Sequence, residues 1–372
     1  MTKMIFYPLG NADTTLVHLA DDRLILMDFC NYPQDGEKDR RICLDEELHH
    51  YLKTQKRDYF DLVAFSHADD DHLHGAEDFF YFRHAKCYQG EDRIHINNLV
   101  VPACFILEAG LDDSARAIRA EARFRFKEGS GITVLGDPEP LSDWLVDEGI
   151  NPATRSSLIA KAGTCMPGYD RNHGQVEIFI HSPFSYKMEG EDVLRNENSI
   201  VLHLTFYEGP REVKCMLGGD AEYKTWATIY NVTTWNHNEG RLAWDLFRIA
   251  HHCSYSALSE EKGKNITVPC EDVADLFDCG RTRGLLISSS DLIPIVDSDQ
   301  PPHRQAAAFY QSVARKLGSD LNFMVTMDWP PRSPKPRPMV VNITSLGPSV
   351  EKNPSALGGT GTVLSRPTPR MG

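Results

Sequence analysis

The chain has 372 residues, 41% of them hydrophobic and 25% charged, a balance that suits a folded protein with a sizeable core and excludes a mainly disordered one. Its net charge of −14 provides no global positive field to gather nucleic acid, so a phosphate-bearing substrate would need local cations or a metal. Nine cysteines, an odd number with no CxxC pair, exclude a disulfide framework and a cysteine zinc site. No run approaches the roughly 18 apolar residues of a membrane span, and the opening Met1-Thr2-Lys3-Met4-Ile5-Phe6-Tyr7-Pro8 lacks a long apolar leader core. A cytoplasmic protein with no membrane partner is expected.

Short aliphatic and β-branched runs at residues 4–7, 14–19 and 24–29, separated by Gly10-Asn11-Ala12-Asp13 and Asp21-Asp22, predict consecutive antiparallel strands. A helix is predicted over 44–54, and Asp61-Leu62-Val63-Ala64-Phe65 reads as a buried strand. Residues 90–170 lose regularity, with helices predicted at 115–126 and 141–148 between Gly- and Pro-containing turns, and read as an insertion or lid. Strand patterns resume at 176–180, 199–206 and 213–217, and an apolar run follows at 242–250. A strand at 284–288, a helix at 302–317 and strands at 322–327 and 339–344 close the pattern. The segment Trp329-Pro330-Pro331-Arg332-Ser333-Pro334-Lys335-Pro336-Arg337-Pro338 is too proline-rich for a sheet interior. One domain over 1–348 and a disordered tail over 349–372 are expected.

The strongest chemical signal is Ser66-His67-Ala68-Asp69-Asp70-Asp71-His72-Leu73-His74-Gly75, directly after a buried strand. Imidazole and carboxylate are the common protein ligands of zinc, manganese and iron, and a rigid strand end can aim several of them at one point. Two distant segments also end apolar runs in such groups: Leu217-Gly218-Gly219-Asp220 and Ile249-Ala250-His251-His252. A core strand that delivers paired histidines needs a satisfied polar environment, because unpaired buried imidazole is costly.

In order and spacing these segments resemble the metallo-β-lactamase superfamily, with its HxHxDH motif, an aspartate after a strand and a late histidine. More narrowly, His67-Ala68-Asp69-Asp70-Asp71-His72 is similar to the HxDxDH variant of the ComEC/Rec2 competence-protein hydrolase domain. Asn198-Ser199 and Gly218-Gly219-Asp220-Ala221-Glu222 resemble further segments of that subgroup, as do Gly10-Asn11-Ala12-Asp13-Thr14 and Asp28 near the start. Cys253 stands where the subgroup has glycine after its histidine pair, and Ala12 replaces a glycine of the early turn. The resemblance implies an α/β (α+β) fold, a four-layer αββα sandwich with an inserted segment and metals at one edge of the sheets.

It also implies a ligand set. His67 and Asp69 would form one half-site, Asp71 and His72 the other, with Asp220 bridging and His251 completing the second; the first half-site lacks a clear third ligand. The implied cofactor is one or two divalent ions, zinc or manganese, with magnesium also compatible with the carboxylate-rich set. Asp69, Asp71 and Asp220 would serve a metal-activated water and His252 would donate a proton, while Asn198, Ser254, Ser256 and His303 are candidates for substrate contact. The expected function is metal-dependent hydrolysis of a phosphodiester, with single-stranded DNA preferred and defence against foreign DNA as a setting, acting alone or with protein partners. Two alternatives stay open: a hydrolase of a nucleotide, cyclic nucleotide, lactone or thioester, and a metal-binding regulatory module without catalysis.

Overall fold

The computed structural model describes residues 1–352 apart from 37, 112, 185–186 and 190–191. The first strands are β1 (Lys3–Phe6), β2 (Thr15–His18) and β3 (Leu24–Met27), followed by helix α1 (Leu44–Gln55) and β4 (Tyr59–Ala64). Next come α2 (Ala76–Phe79), β5 (His95–Pro102), α3 (Ala103–Leu107), α4 (Asp113–Glu128), β6 (Ile132–Leu135), α5 (Glu139–Asp147) and β7 (Ile159–Ala160). After β8 (Val176–Ser182), a small hairpin of β9 (Met188–Glu189) and β10 (Asp192–Val193) precedes β11 (Val201–Glu208), β12 (Arg211–Leu217) and α6 (Tyr223–Trp235). The remainder is β13 (Trp244–Ile249), α7 (Glu271–Asp278), β14 (Gly280–Ser288), α8 (Arg304–Leu317), β15 (Phe323–Val325), β16 (Met339–Thr344) and β17 (Gly347–Val350).

Two sheets result. One has nine strands in the order β17-β16-β1-β2-β3-β4-β5-β6-β7, the other six in the order β15-β14-β13-β12-β11-β8. In each, antiparallel hairpins pass into parallel strands: β3 to β7 in the first, β12 to β15 in the second. Strand residues alternate between faces, so Leu24 and Leu26 of β3 join one core while Ile25 and Met27 join another. The inner faces of both sheets share one core, which includes Ile25, Val100, Ile178, Leu204 and Ile287. Helices α1 to α5 cover the outside of the larger sheet, and α6 to α8 cover the smaller through Trp226, Phe277 and Tyr310. This is the four-layer αββα sandwich that the resemblance implied.

Residues 90–170 depart from the expected lid. They build β5, β6 and β7 of the nine-stranded sheet and the helices that cover it. Parallel strands buried on both faces are short apolar runs without alternation, and Ile132-Thr133-Val134-Leu135 is of that kind. A buried ion pair ties α4 down: Arg125 Nε donates to Glu121 Oε1 at 2.6 Å, and Arg125 Nη1 donates to the carbonyls of Ile96 and Gly131 at 2.9 Å. Glu121 Oε2 accepts from the backbone N–H of His84 at 3.0 Å. At the other end, β17 carries the fold two residues into the stretch predicted as tail, because the Thr344–Gly347 turn folds it back on β16; residues 353–372 lie outside the described residues. All nine cysteines are free, and among the described residues no helix is long and apolar enough to cross a membrane.

Burial pushes the Glu121 carboxyl up, but His84 and Arg125 outweigh it and hold the group near 2, against an ordinary 4.5. A depressed carboxylate adds stability that is present above its unfolded pKa and is lost as pH falls through the folded value. Glu121→Gln is therefore expected to destabilise the protein by about 3 kcal/mol at pH 7 by stranding Arg125, with the gap from wild type closing between pH 4.5 and 2. Urea unfolding across that range checks it; a gap independent of pH would contradict the role given to this pair.

Candidate metal centre

The chemistry-bearing segments sit at the C-terminal ends of parallel strands from both sheets, where α/β folds place ligands. After β4, the chain exits through Phe65 into Ser66 and His67 and then a short 3-10 turn at Asp70–His72. Backbone bonds lock this loop onto its neighbours: Asp13 N–H donates to the Asp71 carbonyl, and Phe29 N–H to the His72 carbonyl, both at 3.0 Å. From the second sheet, β12 leads through Gly218 and Gly219 into Asp220 and β13 through Ala250 into His251 and His252, with His251 N–H donating to the Gly219 carbonyl at 3.2 Å. Gly219 has φ +45°, and a Cβ there would lie 2.3 Å from Ser199 Oγ and 3.0 Å from Ser66 Cβ, so only glycine lets the two loops meet.

Asp28 orders the buried histidine. Its Oδ1 accepts from the Ser66 N–H at 2.6 Å, and its Oδ2 accepts from Ser66 Oγ at 2.8 Å and from His72 Nδ1 at 2.9 Å. With Nδ1 carrying the proton, His72 Nε2 presents a lone pair, the arrangement by which a carboxylate orients a metal-ligating imidazole. That Nε2 lies 3.0 Å from Asp220 Oδ1 and 3.8 Å from Asp13 Oδ2. His252 comes in from the other side, its Nδ1 donating to the Ser289 carbonyl at 2.8 Å and its Nε2 3.6 Å from Asp220 Oδ2.

Asp13, His72, Asp220 and His252, all buried, bring one ligand atom each within 4.8 Å of one another. His72 Nε2, Asp220 Oδ1 and Asp13 Oδ1 are buried and make no hydrogen bond, while Asp13 Oδ2 pairs with the Arg248 guanidinium. Buried polar atoms without partners cost about 1–3 kcal/mol each, so lone pairs converging on one point are explained by a shared cation. Burial alone would push the His72 imidazole down and the Asp220 carboxyl up. Their mutual attraction, with Asp28 and Asp71 acting on the histidine and His252 and His251 on the aspartate, drives both the opposite way. The site demands positive charge, and the donor set suits a divalent metal.

The other expected residues distribute around this point. Asp71 stands at its edge, Oδ2 accepting from His252 Nε2 at 2.8 Å. The buried place expected of His251 belongs to His252; His251 lies at the mouth, 22% exposed, with Nε2 3.8 Å from Asp220 Oδ2. His251, His252 and Cys253 all adopt positive φ, so the cysteine takes a left-handed backbone conformation that ordinarily favours glycine. Ser254 and Ser256 form a hydroxyl chain that reaches His251 Nδ1 at 3.1 Å, placing them behind that ring rather than on a ligand. His303 sits beneath the same loop, accepting the Tyr255 N–H at 3.3 Å and packing edge-on to its ring. Asn198 spends its side chain on the backbone of Lys187 and Leu194 and is a loop clamp. His67 is fully buried with its ring against that of His72, and its Nε2 is 3.3 Å from Asp69 Oδ2, outside the four-residue cluster.

Three participants went unread in the sequence: Asp13 as a cluster member, Arg248, which pairs with it, and Arg195, which bonds Asp69 Oδ1 at 2.7 Å. A charged residue inside the apolar run that delivers His251 was the available signal for Arg248, since a buried charge requires a partner.

No protein-family model matches the chain, and no curated protein sequence does. Among solved structures, a protein assigned as a metal-dependent hydrolase from Parabacteroides distasonis aligns over 87% of this chain and 92% of its own, at 10% identity and a TM-score of 0.31. Unliganded yeast PDE1 aligns over 87% of this chain and 97% of its own, at 13% identity and a TM-score of 0.36. The chemistry of the cluster, not these likenesses, carries the functional assignment.

Asp28→Asn tests the orienting carboxylate without backbone strain, since asparagine tolerates the left-handed φ of +58° at this position. Manganese affinity measured by calorimetry is expected to fall about 10- to 100-fold, while Asp220→Ala should abolish binding. Unchanged affinity in Asp28→Asn would remove His72 from the ligand set.

Proposed function

We propose that the chain is a metal-dependent hydrolase of phosphodiesters, acting on nucleic acid with single strands preferred. The observation that carries the hydrolase part is the buried Asp13, His72, Asp220 and His252 cluster, with its unpartnered lone pairs and an opening at Asp69, Asp71 and His251. A divalent cation bound there lowers the pKa of a water toward neutrality and offsets charge developing on a phosphoryl group. Asp69 is held well below the usual carboxylate range, because His67 and Arg195 outweigh its burial. It is therefore a poor base and acts by orienting. His251, at the mouth and braced by Ser256 at Nδ1, is the group placed to pass a proton to a departing oxygen, a role the sequence reading gave to His252.

The polyanion part rests on a groove. Two cavities of about 560 and 640 Å3 share Tyr32, Asp39, Arg40 and Arg41, and run from Asn11 and Asp291 to Lys335 in the proline-rich segment. Asn11 is two residues from Asp13, and its Oδ1 accepts the Asp291 N–H at 2.9 Å. Arg40 donates to the carbonyls of Ser333 and Pro334, which fastens the proline-rich segment along the groove. Lys38 and Lys335 also line this groove, beside the half-buried ring of Tyr32, and are the cations it offers to the backbone of a single strand. The competence-protein resemblance supports the same substrate.

A second reading, a small-molecule phosphate or ester substrate, is favoured by a cavity of about 430 Å3 at Asp69, Arg195 and Glu222, the size of one ligand and rich in carboxylates. Manganese-dependent hydrolysis of bis-p-nitrophenyl phosphate, abolished by chelation, is the expected result; a metal-loaded chain with no turnover would make it a binding module. Removing Lys38 and Lys335 together should raise KM for single-stranded DNA several-fold and flatten its salt dependence, leaving the small ester unchanged. Cleavage of cyclic nucleotides without cleavage of DNA would transfer the assignment to the second reading.

A further inference from the structure

The expected two-metal arrangement requires His67 and Asp69 to find a third ligand. Among the described residues, one group of histidine, cysteine, aspartate and glutamate side chains converges closely enough to share a cation, and neither His67 nor Asp69 belongs to it. Their neighbour is instead a guanidinium. Arg195 follows the β9–β10 hairpin and reaches back to the strand ends of the larger sheet, where Nη1 donates to Asp69 Oδ1 at 2.7 Å. Its Nε and Nη2 donate to Glu108 Oε1 at 2.8 and 2.6 Å. Glu108, at the end of α3, is nearly buried, with its side chain 9% exposed, so two carboxylates clamp this one cation from opposite sides.

We infer that the Arg195 guanidinium is the resident cation of the first half-site, so that the chain takes a single divalent ion, at Asp13, His72, Asp220 and His252. This rests on the hydrolase reading and specifies how its site meets an anion: one metal and one arginine in place of two metals. The electrostatics are consistent with it. Asp69 already has a fixed positive partner, and a divalent ion drawn to the same carboxylate would face the guanidinium at close range. The side chain also has capacity to spare. Of the five N–H groups of a guanidinium, three are spent on Asp69 and Glu108, which leaves two for an oxyanion. Arg195 is 34% exposed and lines the cavity it shares with Asp69 and Glu222, so those donors are open to a ligand. A planar fork of this kind matches phosphate geometry in a way an ammonium does not.

The test counts ions rather than turnover. Metal-stripped full-length chain is titrated with manganese chloride, bound metal is measured by inductively coupled plasma mass spectrometry, and electron paramagnetic resonance distinguishes isolated from exchange-coupled manganese. Wild type is expected to saturate at one ion per chain with an isolated six-line spectrum. Arg195→Ala should admit a second, weaker ion with a coupled signal, while Arg195→Lys, which keeps the charge, should stay at one. Thermal unfolding of each variant verifies that this half-exposed loop residue leaves the fold intact. Two ions in wild type, or one ion in Arg195→Ala at every manganese concentration, would overturn the inference while leaving the hydrolase reading in place. No bound ion in wild type would sink both.

Discussion

Everything at this site follows from one electrostatic constraint: the His72 and Asp220 lone pairs meet in the interior, 3.0 Å apart, without a hydrogen bond between them. Such a meeting is unfavourable unless positive charge sits among the donors. A proton can supply it, which is why the imidazole is driven up and the carboxylate down in each other's presence. A divalent cation supplies it better, because it satisfies Asp13 and His252 as well. The fold exists to enforce this encounter. Each sheet turns from antiparallel to parallel pairing near its middle, and the parallel strand ends β4, β12 and β13 deliver ligands from opposite sheets to one edge of the sandwich.

Support around the cluster is laid out in the same way. Asp28 binds Ser66 and His72 together, the Ser289 carbonyl fixes His252, and Ser256 fixes His251. His72 and His251 each have Nδ1 committed to the protein and Nε2 turned toward the centre, while His252 Nε2 also meets Asp71 Oδ2 at 2.8 Å and must release that contact to bind a cation. Arg248, buried against Asp13, balances the carboxylate that enters from the first hairpin. On the rim, the groove past Tyr32 is lined by the basic side chains Lys38, Arg40, Arg41 and Lys335 and by the acidic Asp39, Glu46, Glu47 and Asp291, with Arg41 paired to Asp39.

Much of this was legible in the sequence, and the reasons are specific. Ser66 to Gly75, Gly218 to Asp220 and His251-His252 were readable because each follows an apolar strand, and imidazoles and carboxylates crowded at the end of a buried strand are costly unless a cation holds them together. Asp13 was visible only as part of a turn, since a lone aspartate beside Asn11 and Gly10 looks like turn chemistry. Arg195 was invisible because its partners, Asp69 and Glu108, lie 126 and 87 residues away in sequence. The order within the histidine pair could not be read either, because it depends on three successive left-handed residues that local propensity disfavours. The segment 90–170 misled for another reason: β5 opens with His95, Asn97 and Asn98, polar residues that mask a strand whose burial begins further along. Helix α6 is rich in threonine and aromatic residues of modest helix propensity, and the packing of Trp226 and Ile229 on the smaller sheet decides its state.

The central claim is that four remote segments hold one cation between them. Anomalous diffraction from crystals grown with manganese or zinc addresses it directly. A single strong peak about 2.0–2.2 Å from His72 Nε2 and an Asp220 oxygen, with His252 completing the sphere, is the expected result. A peak elsewhere in the molecule, or His72 and Asp220 hydrogen-bonded to each other around an empty centre under metal-saturating conditions, would contradict it.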